Sequence, residues 1–481
     1  MKNIIRYFIP LCLVAVSCQP HFDMVPPPTP GQTVEKEFAD NWYVTLEGTG
    51  SKAGYDWDNA LPFAEFLKMI SNTTTDLSNS GIHIKKGTYV VPKEADQFLN
   101  ITKDVLCIRG GYDPALTGED LSGCDPEAFP TVFSGDLNGS GAADEGDGGF
   151  IYVTDGSVRL ENITFKYFWK GDGINVDTYG KAGAVIGVNG PYLTTSVECN
   201  NCIFEDNSAG FSGSTAYQGG PCAFVSEGYF KARGCVFQDN LGNSRGGAIR
   251  TAGKSGVVFL DRCFFTRNVL NDTWGKAIQI SDGVLCANNC TLVGHSGKGS
   301  SLNGGGAFFL SNNTIMDESS VDGVNNAAFR CESKADRNSI MLNNVFGNVN
   351  ADGAGIIVNS SGGVIVSRGY NFIKSVILGN NCVDPAVAED VKKDVVLTGT
   401  VEDNCWKWEL SQIAADIKGY IGADDIYDAA ISFDPSLYCG ISVLGRSYAN
   451  WVTPNAFGMD GRGEARGEDF QPGSYDPNLD E

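Results

Sequence analysis

Three stretches of the chain are near copies of one another: CIFEDN at 202–207, CVFQDN at 235–240 and CFFTRN at 263–268. A Cys, a Phe and an Asn recur at fixed offsets, 33 and then 28 residues apart. That period is too long for a heptad and too short for a domain, so one structural unit is being repeated. Aligning on the Phe extends the series to Phe165, Phe204, Phe237, Phe265, Leu292, Ile315 and Phe346, at intervals of 39, 33, 28, 27, 23 and 31 residues.

Apolar residues alternate within each unit, as in VRLENITF, VECNNCIF and FKARGCVF, which is the period of a strand. Gly-rich punctuation separates the units: GKAGAVIG, GGPCAF, GGAIR, GKAIQI, GGGAFF and GAGII. With no helical pattern between them, the units predict an all-β chain, a parallel β-helix, whose right hand is implied by the resemblance given below. A coil cannot bury its inner face alone, so coils stack about 4.8 Å apart and share one core. Equivalent positions must then stack on one another.

Two columns follow from that stacking. The residues two before the Phe column are Ile163, Cys202, Cys235, Cys263, Cys290, Asn313 and Asn344. In-register parallel strands hold neighbouring Cβ atoms about 4.8 Å apart and pointing the same way, outside the usual reach of a disulfide. The four cysteines therefore read as buried free thiols, with Asn313 and Asn344 continuing the ladder as stacked amides. Three residues past the Phe, Asn207, Asn240 and Asn268 read as a turn ladder, because Asn tolerates left-handed backbone and bonds local amides.

FEDN, FQDN and FTRN alternating with GGAI and GGAF resemble the FxxN and GGA(I/L/V) repeats of chlamydial polymorphic outer-membrane proteins. That resemblance implies a β-helix exposed on cells and a link to adhesion. The flanks resemble the right-handed β-helix repeat proteins of the pectin-lyase-like superfamily. WYVTLEGTGSKAGYDWDNALPFAEFLKMI and IHIKKGTYVV match the opening of that group, IRGGYDP and PTVFSGDLNG its first coil, and FGMDGRGEARGEDFQPGSYDP its closing segment. Ala60, Phe63, Leu67 and Ile70 predict an amphipathic helix that plugs the end of the coil stack. The likeness spans about 40–477 and implies the fold; the group mixes lyases, hydrolases and adhesins, so it implies no single activity.

The N-terminus reads as export machinery. Lys2 and Arg6 precede a short apolar run from Tyr7 to Val16, too short to span a bilayer. AVSC at 15–18 resembles a bacterial lipobox with Ala15 where Leu is usual, implying that Cys18 is lipidated; ordinary signal cleavage nearby is the alternative. A Pro-rich stretch follows and reads as a tether. The expected division is a signal and lipobox at 1–18, a tether at 19–38, a β-helix with N-terminal cap at 39–400 and an irregular closing segment at 401–481. The expected location is the bacterial cell envelope, at the outer membrane through lipid alone and surface-exposed. A net charge of −23 argues against nucleic acid as a partner. The expected oligomeric state is a monomer.

Chemistry is harder to find. Polygalacturonate hydrolases resemble one another in Asn-Thr-Asp, Asp-Asp, His-Gly and Arg-Ile-Lys motifs, and that set is missing from these coils. A lyase would need a Lys or Arg base; Arg250, Arg267 and Lys276 are available. Asp206, Asp239 and Arg267 form a column two past the Phe, where two carboxylates about 5 Å apart would suit a retaining glycosidase. Solvated ion pairing of Arg267 with Asp239 is the plainer reading.

DLNGSGAADEGD at 136–147 has EF-hand-like spacing, with Asp136, Asn138, Ser140, Asp144 and Asp147 at ligand positions for Ca²⁺ and Gly141 at the turn. A solvated acidic loop is the alternative. Tyr167 with Trp169, and Trp406 with Trp408, are candidates to stack on sugar faces, because alternation puts each pair on one strand face; core packing of at least one pair is the plainer reading. Cys107 with Cys124, and Cys382 with Cys405, are candidate bridges. The expected function is a lipoprotein scaffold that binds a polysaccharide or host-surface glycan. The alternative is a polysaccharide lyase or glycoside hydrolase with a non-standard site.

Overall fold

The computed structural model describes residues 38–358, apart from breaks at 94–97, 172–182, 192–193, 211–218, 318–325, 333–338, 349–352 and four single positions (244, 254, 273 and 343). Past 358 it describes only short strands, ending with Ile441–Val443. The signal, Cys18, the tether through residue 37, Trp406, Trp408, Cys382 and Cys405 lie outside the described residues.

The chain is a parallel β-helix. One coil runs through Val236–Gln238, Leu241–Gly242, Ile249–Thr251 and Gly256–Asp261. Each segment pairs in parallel with its counterpart in the next coil: Phe264–Thr266, Val269–Leu270, Ile278–Ile280 and Val284–Asn288. The predicted Phe column is the register itself. Phe165 aligns with Phe204, then Phe237, Phe265, Leu292, Ile315 and Phe346. It extends beyond the repeats that sequence reveals, back through Phe133 to Tyr89 and on through Ile373 to Tyr427.

Coil height sets how the rings meet. Phe204, Phe237 and Phe265 lie nearly parallel, with centroids 4.8 and 4.3 Å apart and interplanar angles of 3° and 6°. At the N-terminal end the helix Phe63–Ser71 turns Phe63, Phe66, Leu67 and Ile70 into the same core. Ala60, expected on its stripe, is buried but precedes the helix. Lys103 Nζ closes the helix end by donating to the carbonyls of Met69, Asn72 and Thr75, where helix carbonyls lack partners.

The thiol column is as expected. Cys202, Cys235, Cys263 and Cys290 are buried and free. The Sγ of Cys235 does what an Asn side chain does further along. Cys235 Sγ accepts from Cys202 N–H at 3.4 Å and donates to Cys199 O at 3.3 Å. Asn313 Oδ1 accepts from Cys290 N–H at 2.9 Å, and its Nδ2 donates to Ala287 O at 2.9 Å. Asn344 repeats this against Asn313 and Leu310. A thiol and an amide can share the column because each offers one acceptor and one donor in the same directions. Cys107 and Cys124, a candidate bridge, are instead both free; Cys124 Sγ donates to Gly110 O.

The second ladder differs from its expectation. Asn207, Asn240 and Asn268 are fully buried, and the left-handed backbone belongs to the residue before each of them: Asp206 (φ 52°), Asp239 (φ 56°) and Arg267 (φ 51°). The corner turns there, which swings the following Asn inward. Asn207 Nδ2 donates to Asn240 Oδ1 at 3.0 Å, and Asn240 Nδ2 to Asn268 Oδ1 at 2.9 Å. His295 ends the row, its Nδ1 accepting from Asn268 N–H at 3.3 Å.

His83 and His295 are both deeply buried. Desolvation lowers each imidazole from its ordinary 6.5 to about 3, aided by the positive charges of Arg109 and Lys276 respectively. Neutral His83 fits its neighbours: Nε2–H donates to Asn41 Oδ1 and Nδ1 accepts from Tyr112 O–H. Below pH 6.5 the unfolded chain binds protons that the folded chain refuses until about 3. Their contribution is therefore whole above 6.5 and lost as pH falls through that window. Urea midpoints measured across it should fall with acidification, and His83→Gln should flatten part of the slope. An unchanged slope in the variant would remove His83 from the account.

Candidate functional site

The corner carboxylates are spoken for. Arg267 holds both oxygens of Asp239, at 2.8 and 2.5 Å. Lys166 Nζ sits 3.3 Å from both Glu205 and Asp206. Burial pushes the Asp206 carboxyl up, and Lys166 opposes that shift. These groups form a row of opposite charges across coils on an exposed corner, which is the plainer of the two sequence readings. Arg267→Ala should shift unfolding by less than about 1 kcal/mol, readable in a thermal melt; a larger loss would mean that the corner depends on the pair.

Tyr167 and Trp169 do not share a strand face. Tyr167 occupies a left-handed corner (φ 61°) after the strand Ile163–Lys166, and Trp169 opens the next segment. Between them Phe168 turns into the core. Tyr167 instead carries the Lys166 ammonium over its ring, 4.8 Å from the centroid.

The five residues proposed for Ca²⁺ do lie in one loop, but its side chains bond the loop itself. Asp136 accepts from Ser140 and Gly141 N–H at 3.0 Å, and Asn138 Nδ2 donates to Asp144 at 2.6 Å. Asp147, fully buried, accepts from Leu137 and Asp144 N–H, both at 2.9 Å. Burial pushes its carboxyl up, as expected of a group that staples the loop from inside.

The outer face of another sheet carries a denser set of groups, most of them buried. Along the strands that include Ile249–Thr251 and Ile278–Ile280, one register row reads Tyr152, Gly187, Phe224, Arg250, Gln279, Asn303 and Arg330. Its neighbours Ile249, Ile278, Ile280, Leu302, Phe329 and Cys331 belong to the core. Alternation therefore turns the row outward. The Arg250 guanidinium lies 5.3 Å from the centroid of Phe224. Beside the row, Trp274 has the guanidinium of Arg245 at 5.6 Å and that of Arg330 at 5.8 Å. Arg330 also pairs with Glu332 at 2.6 Å, and Gln279 Oε1 accepts from Ser281 Oγ at 3.0 Å.

Asn303 stands at the centre of this polar stretch. It is fully buried, and neither its Oδ1 nor its Nδ2 has a hydrogen-bond partner. An amide without partners in such a place costs about 1–3 kcal/mol. Every other buried Asn of the two ladders is bonded along its column. Sequence reasoning found Arg250 only as a spare base and missed the row. The signal was the residue following each inward apolar position in AIR, AIQ, SLN and AFR.

No family model matches the chain, and no curated protein matches it in sequence. Among solved structures it is similar to "Crystal structure of pectate lyase Pel9A", at 13% identity and a TM-score of 0.39, covering 92% of this chain and 98% of that one. At that distance no residue role is carried across.

Proposed function

We propose that this chain is an exported, lipid-anchored β-helix protein that binds a polysaccharide or host-surface glycan along the outward row from Phe224 to Arg330. The observation that carries this reading is Asn303, a buried amide with a free donor and a free acceptor amid aromatic and guanidinium groups. Sugar hydroxyls donate and accept from the same atom, so they suit such an amide, and the half-buried Trp274 beside the row offers an apolar face for a sugar ring.

Lipid attachment at Cys18, outer-membrane placement, adhesion like that of the chlamydial polymorphic proteins, a monomeric state and the domain limits given above belong to the same proposal. Ca²⁺ at 136–147 does too; each oxygen of Asp136 and Asp147 accepts one backbone amide and keeps a further lone pair. The lyase or hydrolase reading stays second, because the row offers hydrogen-bonding and aromatic groups where catalysis calls for clustered carboxylates.

The test is retention of residues 19–481 in gels containing plant, host and microbial polysaccharides, with and without Ca²⁺. Unsaturated products and new reducing ends are followed in parallel. Asn303→Ala should weaken retention about tenfold, roughly 1.4 kcal/mol, while leaving the unfolding midpoint unchanged or higher, since it removes an unbonded buried amide. Equal retention by the variant would sink the assignment to this row. Turnover would make the protein an enzyme.

A further inference from the structure

Lys276 and Asp317 are both wholly buried and lie in direct contact, Nζ to Oδ1 2.5 Å, 41 residues apart in sequence. Their surroundings are built to keep them there. Lys276 N–H donates to Ser300 O at 2.7 Å, and Ser301 Oγ donates to Met316 O, next to Asp317, also at 2.7 Å. The neighbouring His295 is neutral, its pKa held down by burial and by the charge of Lys276. A buried ion pair costs the desolvation of two charges and is seldom worth its place for stability alone. A primary amine held against a carboxyl group, away from water, is also the arrangement from which an amide forms.

The geometry points to a covalent cross-link between these coils: an isopeptide bond from Lys276 Nζ to Asp317 Cγ, formed by the folded chain on itself. In the dry interior the neutral forms are favoured, so the ammonium passes one proton to the carboxylate. The freed amine attacks Cγ and the C–N bond forms. A second proton leaves the nitrogen for a carboxyl oxygen, the C–O bond breaks, and one water departs. Charge and atoms balance with no oxidant and no cofactor. The product removes both charges from the core and ties the two segments covalently.

The mass of the purified, denatured protein decides this. The chain should weigh one water less than its sequence, and a protease digest should yield a branched peptide joining Lys276 to Asp317. Lys276→Arg and Asp317→Ala should each restore the full mass, while Asp317→Asn should form the same bond with loss of ammonia instead of water. A wild-type chain of full mass, with both residues recovered in separate unmodified peptides, would overturn the proposal even if every variant failed to fold.

Discussion

Phe237→Ala is expected to destabilise the protein by about 3–5 kcal/mol. The ring is fully buried and lies flat between Phe204 and Phe265 at 4.8 and 4.3 Å. Coil spacing is set by backbone hydrogen bonds, so the coils above and below cannot move together to fill the space. The cavity should therefore stay open, which is the condition for the upper part of the range. Nearest-neighbour coupling in a solenoid adds a second expectation: the loss should be local. Hydrogen exchange of the amides in Val236–Gln238 and Phe264–Thr266 should rise far more than that of the strands around Tyr89. A loss below about 1 kcal/mol, or exchange that rises evenly along the chain, would contradict the stacked column.

Asn240→Leu should cost about 3 kcal/mol or more despite nearly preserving volume. Asn240 Oδ1 accepts from both the backbone N–H and the Nδ2 of Asn207, at 3.1 and 3.0 Å. Its Nδ2 donates to Phe204 O and to Asn268 Oδ1, both at 2.9 Å. A leucine leaves two buried donors and two buried carbonyl oxygens without these partners, and no water reaches a fully buried column. Urea unfolding should show the midpoint fall. A variant as stable as the parent would mean that the ladder is ornamental and that packing alone holds the corner. Opposite behaviour is expected at Asn303, whose amide has no protein partner to lose. The pair of substitutions thus separates structural amides from one held open to a ligand.

Stacking made the first kind of residue legible. A side chain that sits on copies of itself must be compatible with them, so Phe, Cys and Asn recur at matching offsets and expose the register before any coordinates exist. The cysteine column gave its partner chemistry away as well, since Asn313 and Asn344 replace thiols at the same position. The Asn column was legible as a ladder but not in its orientation. Only backbone dihedrals show that Asp206, Asp239 and Arg267 take the left-handed corner and send the amides inward. The Ca²⁺-like loop makes a related point. Spacing counts oxygens along the chain, whereas the directions of those oxygens depend on which amides lie within reach, and here both oxygens of Asp147 point at the loop's own backbone.

What the sequence alone determined is therefore the coil, its register and its inner columns, because burial between identical layers constrains residue type at every repeat. What only the tertiary structure decided is which unlike residues become neighbours on the outside. Tyr152, Phe224, Arg250, Gln279, Asn303 and Arg330 span five residue types, and turns of unequal length separate them. They become one row only when parallel pairing brings the coils into line. Lys276 and Asp317 meet for the same reason: the stack brings together two charges that no spacing rule would join.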